Sequence, residues 1–224
     1  ARALGGDPPI LLMDEPFGAI DPITRVDLQN EFLKIQEEIQ KTIIFVTHDI
    51  YEAIKMGDKI ALMKEGRLVQ YAPPAELLYR PKDEFVAGFV GTDRALKGLQ
   101  LIRAKEVMQE SPPTAKPQEE AAPVRERMGR AGTTLVAVVD DENRFMGWVD
   151  TEDLQADKKI QDAMRPSTTT ATRSAVLNEV LSIMLTSGLT VLAIVDKKNR
   201  LVGTISFEAI QKALSQTFQQ KEGE

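Results

Sequence analysis

The sequence predicts an α/β protein in two parts: a parallel-sheet unit, then a unit built from an internal repeat. Three observations carry this. The apolar run Ile10-Leu11-Leu12-Met13 meets two carboxylates and a proline, Asp14-Glu15-Pro16. A short continuous apolar run fits a strand buried on both faces, as in a parallel sheet. A second run, Thr42–Thr47, ends in His48-Asp49, and His48 is the only histidine in the chain. Finally, residues 135–150 recur as residues 191–206, an offset of 56 residues; self-similarity at such a period marks a repeat architecture.

Taken in order, the first strand stops at Pro16, which cannot donate to a ladder. In open α/β sheets ligands sit beyond the C-terminal strand ends. Asp14 and Glu15 stand at such an end, where carboxylates serve to hold a hard cation or to polarise a water. On these residues alone a plain strand with a solvated acidic turn fits equally well. Asp21-Pro22 reads as a helix start, Asp as N-cap and Pro at the first helical position. Leu28, Phe32, Ile35 and Ile39 follow at helical spacing, giving a stripe to cover the sheet, with the helix running to about Gln40. Tyr51-Glu52-Ala53 opens another helix, ended by Gly57. Lys59–Met63 and Arg67–Tyr71 form a hairpin through Lys64-Glu65-Gly66. A short helix starts at Pro74, and Phe85–Gly91 closes the region. Residues 93–103 read as a linker, and Ser111–Pro123 as a loop leading into a helix.

Each copy of the repeat reads helix, strand, tight turn at Asn-Arg, strand, helix. Met128 and Gly132 match Met184 and Gly188, and Val107-Met108 matches Ala163-Met164, at the same offset. One copy is too small to bury a good core, so the two are expected to pack together.

The strand with Asp-Glu-Pro, the Gly-Ala-Ile-Asp turn and the strand with Thr-His-Asp resemble, in order and spacing, the C-terminal half of an ABC-transporter ATPase domain. The resemblance implies roles. Asp14 matches the aspartate that holds Mg²⁺ through water, Glu15 the catalytic glutamate that activates the attacking water, and His48 the switch histidine at the γ-phosphate of ATP. Asp21 matches the aspartate that reaches a partner subunit in the ATP-bound dimer. The phosphate loop G-x-x-x-x-G-K-[ST] is absent, no glycine being followed by lysine, and so is the Leu-Ser-Gly-Gly-Gln signature. Ala1-Arg2-Ala3-Leu4 resembles the end of the helix after that signature. The chain is therefore expected to be a C-terminal fragment, inactive alone.

The repeat resembles a tandem pair of CBS domains, modules that often bind adenine nucleotides. The family's ribose-contacting pattern is split here. Gly147-Trp148-Val149-Asp150-Thr151-Glu152-Asp153 keeps the aspartate, Asp153, whereas Gly203-Thr204-Ile205-Ser206-Phe207-Glu208-Ala209 keeps the hydroxyl, Ser206. Asp153 also fits the first turn of a helix, where a carboxylate is favourable, and Trp148 reads as a packing residue. The implied fold class is α/β: the C-terminal half of an ABC ATPase (P-loop NTPase type) domain over residues 1–95, then a tandem CBS (βαββα-type) pair over 96–158 and 159–218.

Composition agrees. With 42% hydrophobic and 28% charged residues the chain looks globular. The absence of cysteine excludes disulfides and thiolate metal sites and fits a cytoplasmic location. A net charge of −6 without a basic face argues against nucleic acid as the main partner. An ATPase half joined to a CBS pair resembles the energising subunit of importers for glycine betaine, carnitine, choline and proline betaine. That implies ATP and Mg²⁺, cyclic di-AMP or AMP at the CBS pair, a second copy of the chain, and permease subunits holding it at the inner face of the membrane. The rival readings are a non-enzymatic nucleotide-sensing CBS module and an ATPase subunit for another solute.

Overall fold

The computed structural model describes residues 8–39, 41–155 and 158–219. Gln40 and Ala1–Leu4, which the sequence reading placed at helix ends, lie outside them. The chain divides into two compact units, residues 1–97 and 98–224.

In the first unit, β1 (Ile10–Asp14) and β2 (Thr42–Val46) pair in parallel, from Ile10 opposite Thr42 to Asp14 opposite Val46. Helix α1 (Pro22–Ile39) crosses between them. Its start is as read: Thr24 N–H donates to Asp21 Oδ1 at 3.0 Å. Phe17, 6% exposed, packs edge-on against Phe32 of α1 and lies 5.9 Å from the Phe45 ring of β2. The expected two-faced burial is not found. Leu11 is buried, but Leu12 is 71% exposed, and Ile10, Ile44 and Val46 are also open to solvent. Among the described residues, alternate side chains along these strands stay open to solvent. The α1 stripe is likewise half-realised: Phe32 is partly buried, Leu28 and Ile35 are exposed, and Gln29 turns inward instead.

Helix α2 (Ile50–Met56) follows β2, capped by Asp49 Oδ1 accepting from Tyr51 N–H. It ends at Gly57 as expected. The hairpin of β3 (Ile60–Lys64) and β4 (Arg67–Ala72) turns at Glu65-Gly66, both at positive φ, as a two-residue hairpin requires. Helices α3 (Pro74–Tyr79), α4 (Glu84–Val90) and α5 (Arg94–Gly98) complete the unit. The expected linker is thus helical at its start. Lys97 is only 4% exposed, donates to the Val90 carbonyl, pairs with Asp93 and lies over the Tyr51 ring.

The second unit begins with a 3₁₀ turn at Leu99–Leu101, then α6 (Ala104–Val107), β5 (Gln109–Glu110) and β6 (Thr114–Ala115). The segment read as a loop therefore contains a strand. Next come α7 (Ala121–Ala131), β7 (Leu135–Val139) and β8 (Phe145–Asp150), then the second copy: α8 (Ile160–Ala163), β9 (Arg165–Pro166), β10 (Thr170–Thr172), α9 (Leu177–Ser187), β11 (Val191–Val195), β12 (Leu201–Ser206) and α10 (Phe207–Gln219). The helix expected after β8 is a turn over residues 151–153, so only the second copy closes with a helix among the described residues.

The two sheets are four-stranded, ordered β6-β7-β8-β9 and β10-β11-β12-β5. Each copy therefore lends its leading strand to the other. Gly147 pairs with Pro166, and Gly203 with Glu110. The cores are exchanged too. Leu99, Ala104 and Met108 join Leu177, Val180, Met184, Leu192, Ile194, Ile205 and Ile210. Ile160, fully buried, joins Val124, Met128, Val136 and Val149. Each buried Leu, Ile, Val or Met among them contributes roughly 1.5–3 kcal/mol by leaving water. Between the sheets, Phe145 and Trp148 face Ala193, Val195 and Leu201, which is the packing role read for Trp148. The Asn-Arg turns meet as well. Phe145 N–H donates to the Asn199 carbonyl and Leu201 N–H to the Asn143 carbonyl, both at 2.9 Å. Asn143 Nδ2 donates to the Leu201 carbonyl and Asn199 Nδ2 to that of Phe145.

Candidate active site

Parallel pairing brings the tips of β1 and β2 side by side, so the acidic pair and the histidine share one end of the sheet. His48 Nδ1 lies 2.9 Å from Glu15 Oε1. Glu15 stands just past β1, where its N–H donates to the Val46 carbonyl at 2.9 Å. Its φ is 42°, in the left-handed region that L-residues enter at a cost of roughly 1–2 kcal/mol. Such outliers persist where surroundings over-determine them, commonly at functional sites. Hydrogen bonding to Glu15, then its charge, raises the His48 pKa above 6.5. Both side chains remain accessible, 76% for His48 and 49% for Glu15, as groups that meet a ligand need to be.

Asp14 is exposed at the last position of β1. Among the described residues no three His, Cys, Asp or Glu side chains gather to hold a metal. Asp14 and Glu15 are adjacent carboxylates, oxygen donors of the type a hard cation such as Mg²⁺ takes. Asp21 lies at the start of α1 with its carboxyl committed to the cap, and the Thr24 N–H lowers its pKa.

A cavity of about 50 Å³ beside Glu15 and His48 is lined also by Gly18, Arg25, Thr47, Asp49 and Glu52. A wider hollow of about 1020 Å³ lies along β2, α2 and β3; mostly apolar side chains line it, including Ile44 and Val46, together with Thr47, His48 and Asp49. Glu52 escaped the sequence reading. It is 6% exposed on α2, four residues after His48, and its carboxylate accepts from Thr47 and from Gln29. The signal was a carboxylate on the inward face of a short helix, which does not reveal its partners.

In the second unit the split ribose pattern is occupied internally. Asp153 Oδ2 pairs with Arg165 Nη2 at 2.6 Å. Asp153 sits in the turn after β8, not in a helix. Ser206 Oγ accepts from Ala209 N–H at 3.1 Å, capping α10. Asp150, the repeat equivalent of Ser206, does the same for Glu152 N–H at 3.0 Å.

A chain with ligand-ready strand tips in its first unit and strand-exchanged repeats in its second has two kinds of relative. Residues 104–156 and 160–216 match the CBS domain family. Over nearly its whole length it is also similar to ATP-binding proteins named for the transport of osmoprotectants, glycine betaine, carnitine or choline. It is 41% identical over 96% of its length to the osmoprotectant import ATP-binding protein OsmV of Salmonella typhimurium, covering 56% of that protein. It is 38% identical over 92% of its length to the glycine betaine/carnitine/choline transport ATP-binding protein OpuCA of Bacillus subtilis, covering 55%. To the glycine betaine/proline betaine transport system ATP-binding protein ProV of Salmonella typhimurium it is 32% identical over 96%, covering 54%. The chain thus spans about half the length of the curated relatives it matches.

Proposed function

We propose that the chain is part of the ATP-hydrolysing subunit of an importer for osmoprotectant quaternary amines, with residues 98–219 as its regulatory unit. The observation that carries this reading is the Glu15–His48 contact across parallel strand tips, in a chain whose relatives are named for that transport.

Phosphoryl transfer asks little covalent chemistry of a protein; positioning and charge neutralisation dominate. Asp14 would hold Mg²⁺, which would supply neutralisation of the phosphate charge. Glu15 orients and deprotonates the attacking water, and its left-handed backbone aims the carboxylate across the tip toward His48. His48 contacts the γ-phosphate and links it to Glu15. Asp21, whose Oδ1 caps α1, would meet a second copy of the subunit through its other oxygen. Permease subunits hold the assembly at the inner face of the membrane; no helix among the described residues is long and apolar enough to cross one.

The test is Glu15→Gln in the complete subunit with its permease. ATP binding is retained and turnover falls at least about a hundredfold, the scale of a lost general base; unchanged turnover rejects the role. For the CBS pair we infer an adenine nucleotide, AMP or cyclic di-AMP, as regulatory ligand. Arg165 competes with a ribose for Asp153 Oδ2, so calorimetry is expected to show Arg165→Ala binding AMP more tightly. No heat with either nucleotide rejects that ligand class.

A further inference from the structure

The turn bearing His48 is gripped from behind by a hydrogen-bond chain whose directions are fixed by chemistry. Glu52 is a carboxylate and only accepts, so the Thr47 hydroxyl must donate to its Oε2, at 2.7 Å. That leaves Thr47 Oγ1 to accept from Asp49 N–H, at 3.0 Å. The other carboxylate oxygen, Oε1, accepts from Gln29 Nε2 at 3.0 Å. Lys55 Nζ donates to Gln29 Oε1 at 3.1 Å, which fixes the amide so that its NH₂ faces Glu52. Thr47 is therefore tied directly, and Asp49 through the Thr47 hydroxyl, to one buried carboxylate on α2, itself held by Gln29 of α1. A carboxylate this buried is costly unless its oxygens are bonded, and here both are.

We propose that Glu52 is a positioning residue for His48: held by Gln29, it clamps the Thr47-His48-Asp49 turn so that the imidazole meets Glu15. The consequence for ATP turnover rests on the function proposed above; the clamp does not, and it is tested on the 224-residue chain without ATP. The charged groups around His48 are Glu15 from the β1 tip, Asp49 beside it, Glu52 from α2 and Arg25 from α1. Removing the Glu52 charge would itself shift His48, so the informative variants keep charge constant.

His48 is the only histidine, so an imidazole NMR titration reports it alone. Glu15→Gln sets the midpoint of a released His48. Thr47→Val removes only the hydroxyl, Gln29→Met only the amide, and Glu52→Asp keeps the charge but shortens the reach. Each is expected to move the midpoint at least about half the way from the parent to the Glu15→Gln value, within the pKa range that neighbours impose, in a protein whose remaining amide spectrum is that of the parent. Thr47→Ser, which retains the donor, keeps the parent midpoint. Unchanged midpoints in Thr47→Val and Glu52→Asp overturn the proposal. So does Thr47→Ser moving as far as Thr47→Val, which would assign the effect to a lost methyl contact. A Glu15→Gln subunit with full turnover would sink the ATPase reading and leave this result standing.

Discussion

At the scale of single residues, the meeting of Glu15 and His48 was legible because each stands at the C-terminal end of an apolar run, and parallel pairing sets those ends side by side. Their contact gives a pH dependence of known sign. Glu15 raises the folded-state pKa of His48 above 6.5, so the pair stabilises the fold below the unfolded pKa, and that stability is lost as pH rises through the folded value. Melting of the parent is expected to weaken across that window, while Glu15→Gln is flat there; a melting profile identical for both contradicts it. Asn199 is a second residue-scale case. Its side chain donates to Phe145 and its φ is 60°, as is φ 63° at its repeat mate Asn143. Asn199→Ala loses one net hydrogen bond of about 1 kcal/mol and adds a left-handed penalty of about 1 kcal/mol. Asn199→Gly is expected to cost about half as much, and urea unfolding of the second unit separates the two. Glu52 was not legible, because what makes it matter is Gln29, a residue 23 positions earlier.

At the scale of elements, the long strands and the helix starts followed from apolar runs and caps. The two-residue strands β5 and β9 did not, since two residues show no period and their partners lie in the other copy. The glycines opposite them do carry a signal. A Cβ at Gly147 would stand 2.3 Å from the Arg165 carbonyl oxygen, a backbone atom with nowhere to go. At Gly203 it would stand 2.9 Å from both the Gln109 carbonyl oxygen and the Met108 sulfur, and the sulfur is on a flexible chain. Gly147→Ala is therefore expected to strip β9 from its sheet and to destabilise the unit more than Gly203→Ala does. Amide exchange at Arg165 and at Ser167, whose N–H donates to the Met146 carbonyl at 3.1 Å, checks this: equal protection in both variants contradicts it. The α1 stripe failed as a guide because helical spacing names a face without saying how much sheet lies beneath it. Two strands shield Phe32 and leave Leu28 and Ile35 outside.

At the scale of the molecule, the repeat showed in the sequence but the exchange between its copies did not, because equal offsets cannot distinguish a copy that completes itself from one that completes its neighbour. The second copy on its own lacks Leu99, Ala104 and Met108 from its core and β5 from its sheet edge. A fragment of residues 159–219 is thus expected to be unfolded by circular dichroism, whereas residues 98–219 melt in one cooperative step; a folded shorter fragment contradicts the exchange. The crossing also sets a timetable. Residues 109–110 leave the ribosome early, yet their seat beside residues 203–204 is translated about 90 residues later. At the usual ~5–20 residues per second, that segment waits for several seconds with unpaired amide and carbonyl groups. Synthesis, not only sequence, therefore decides when this half of the protein becomes resistant to proteases.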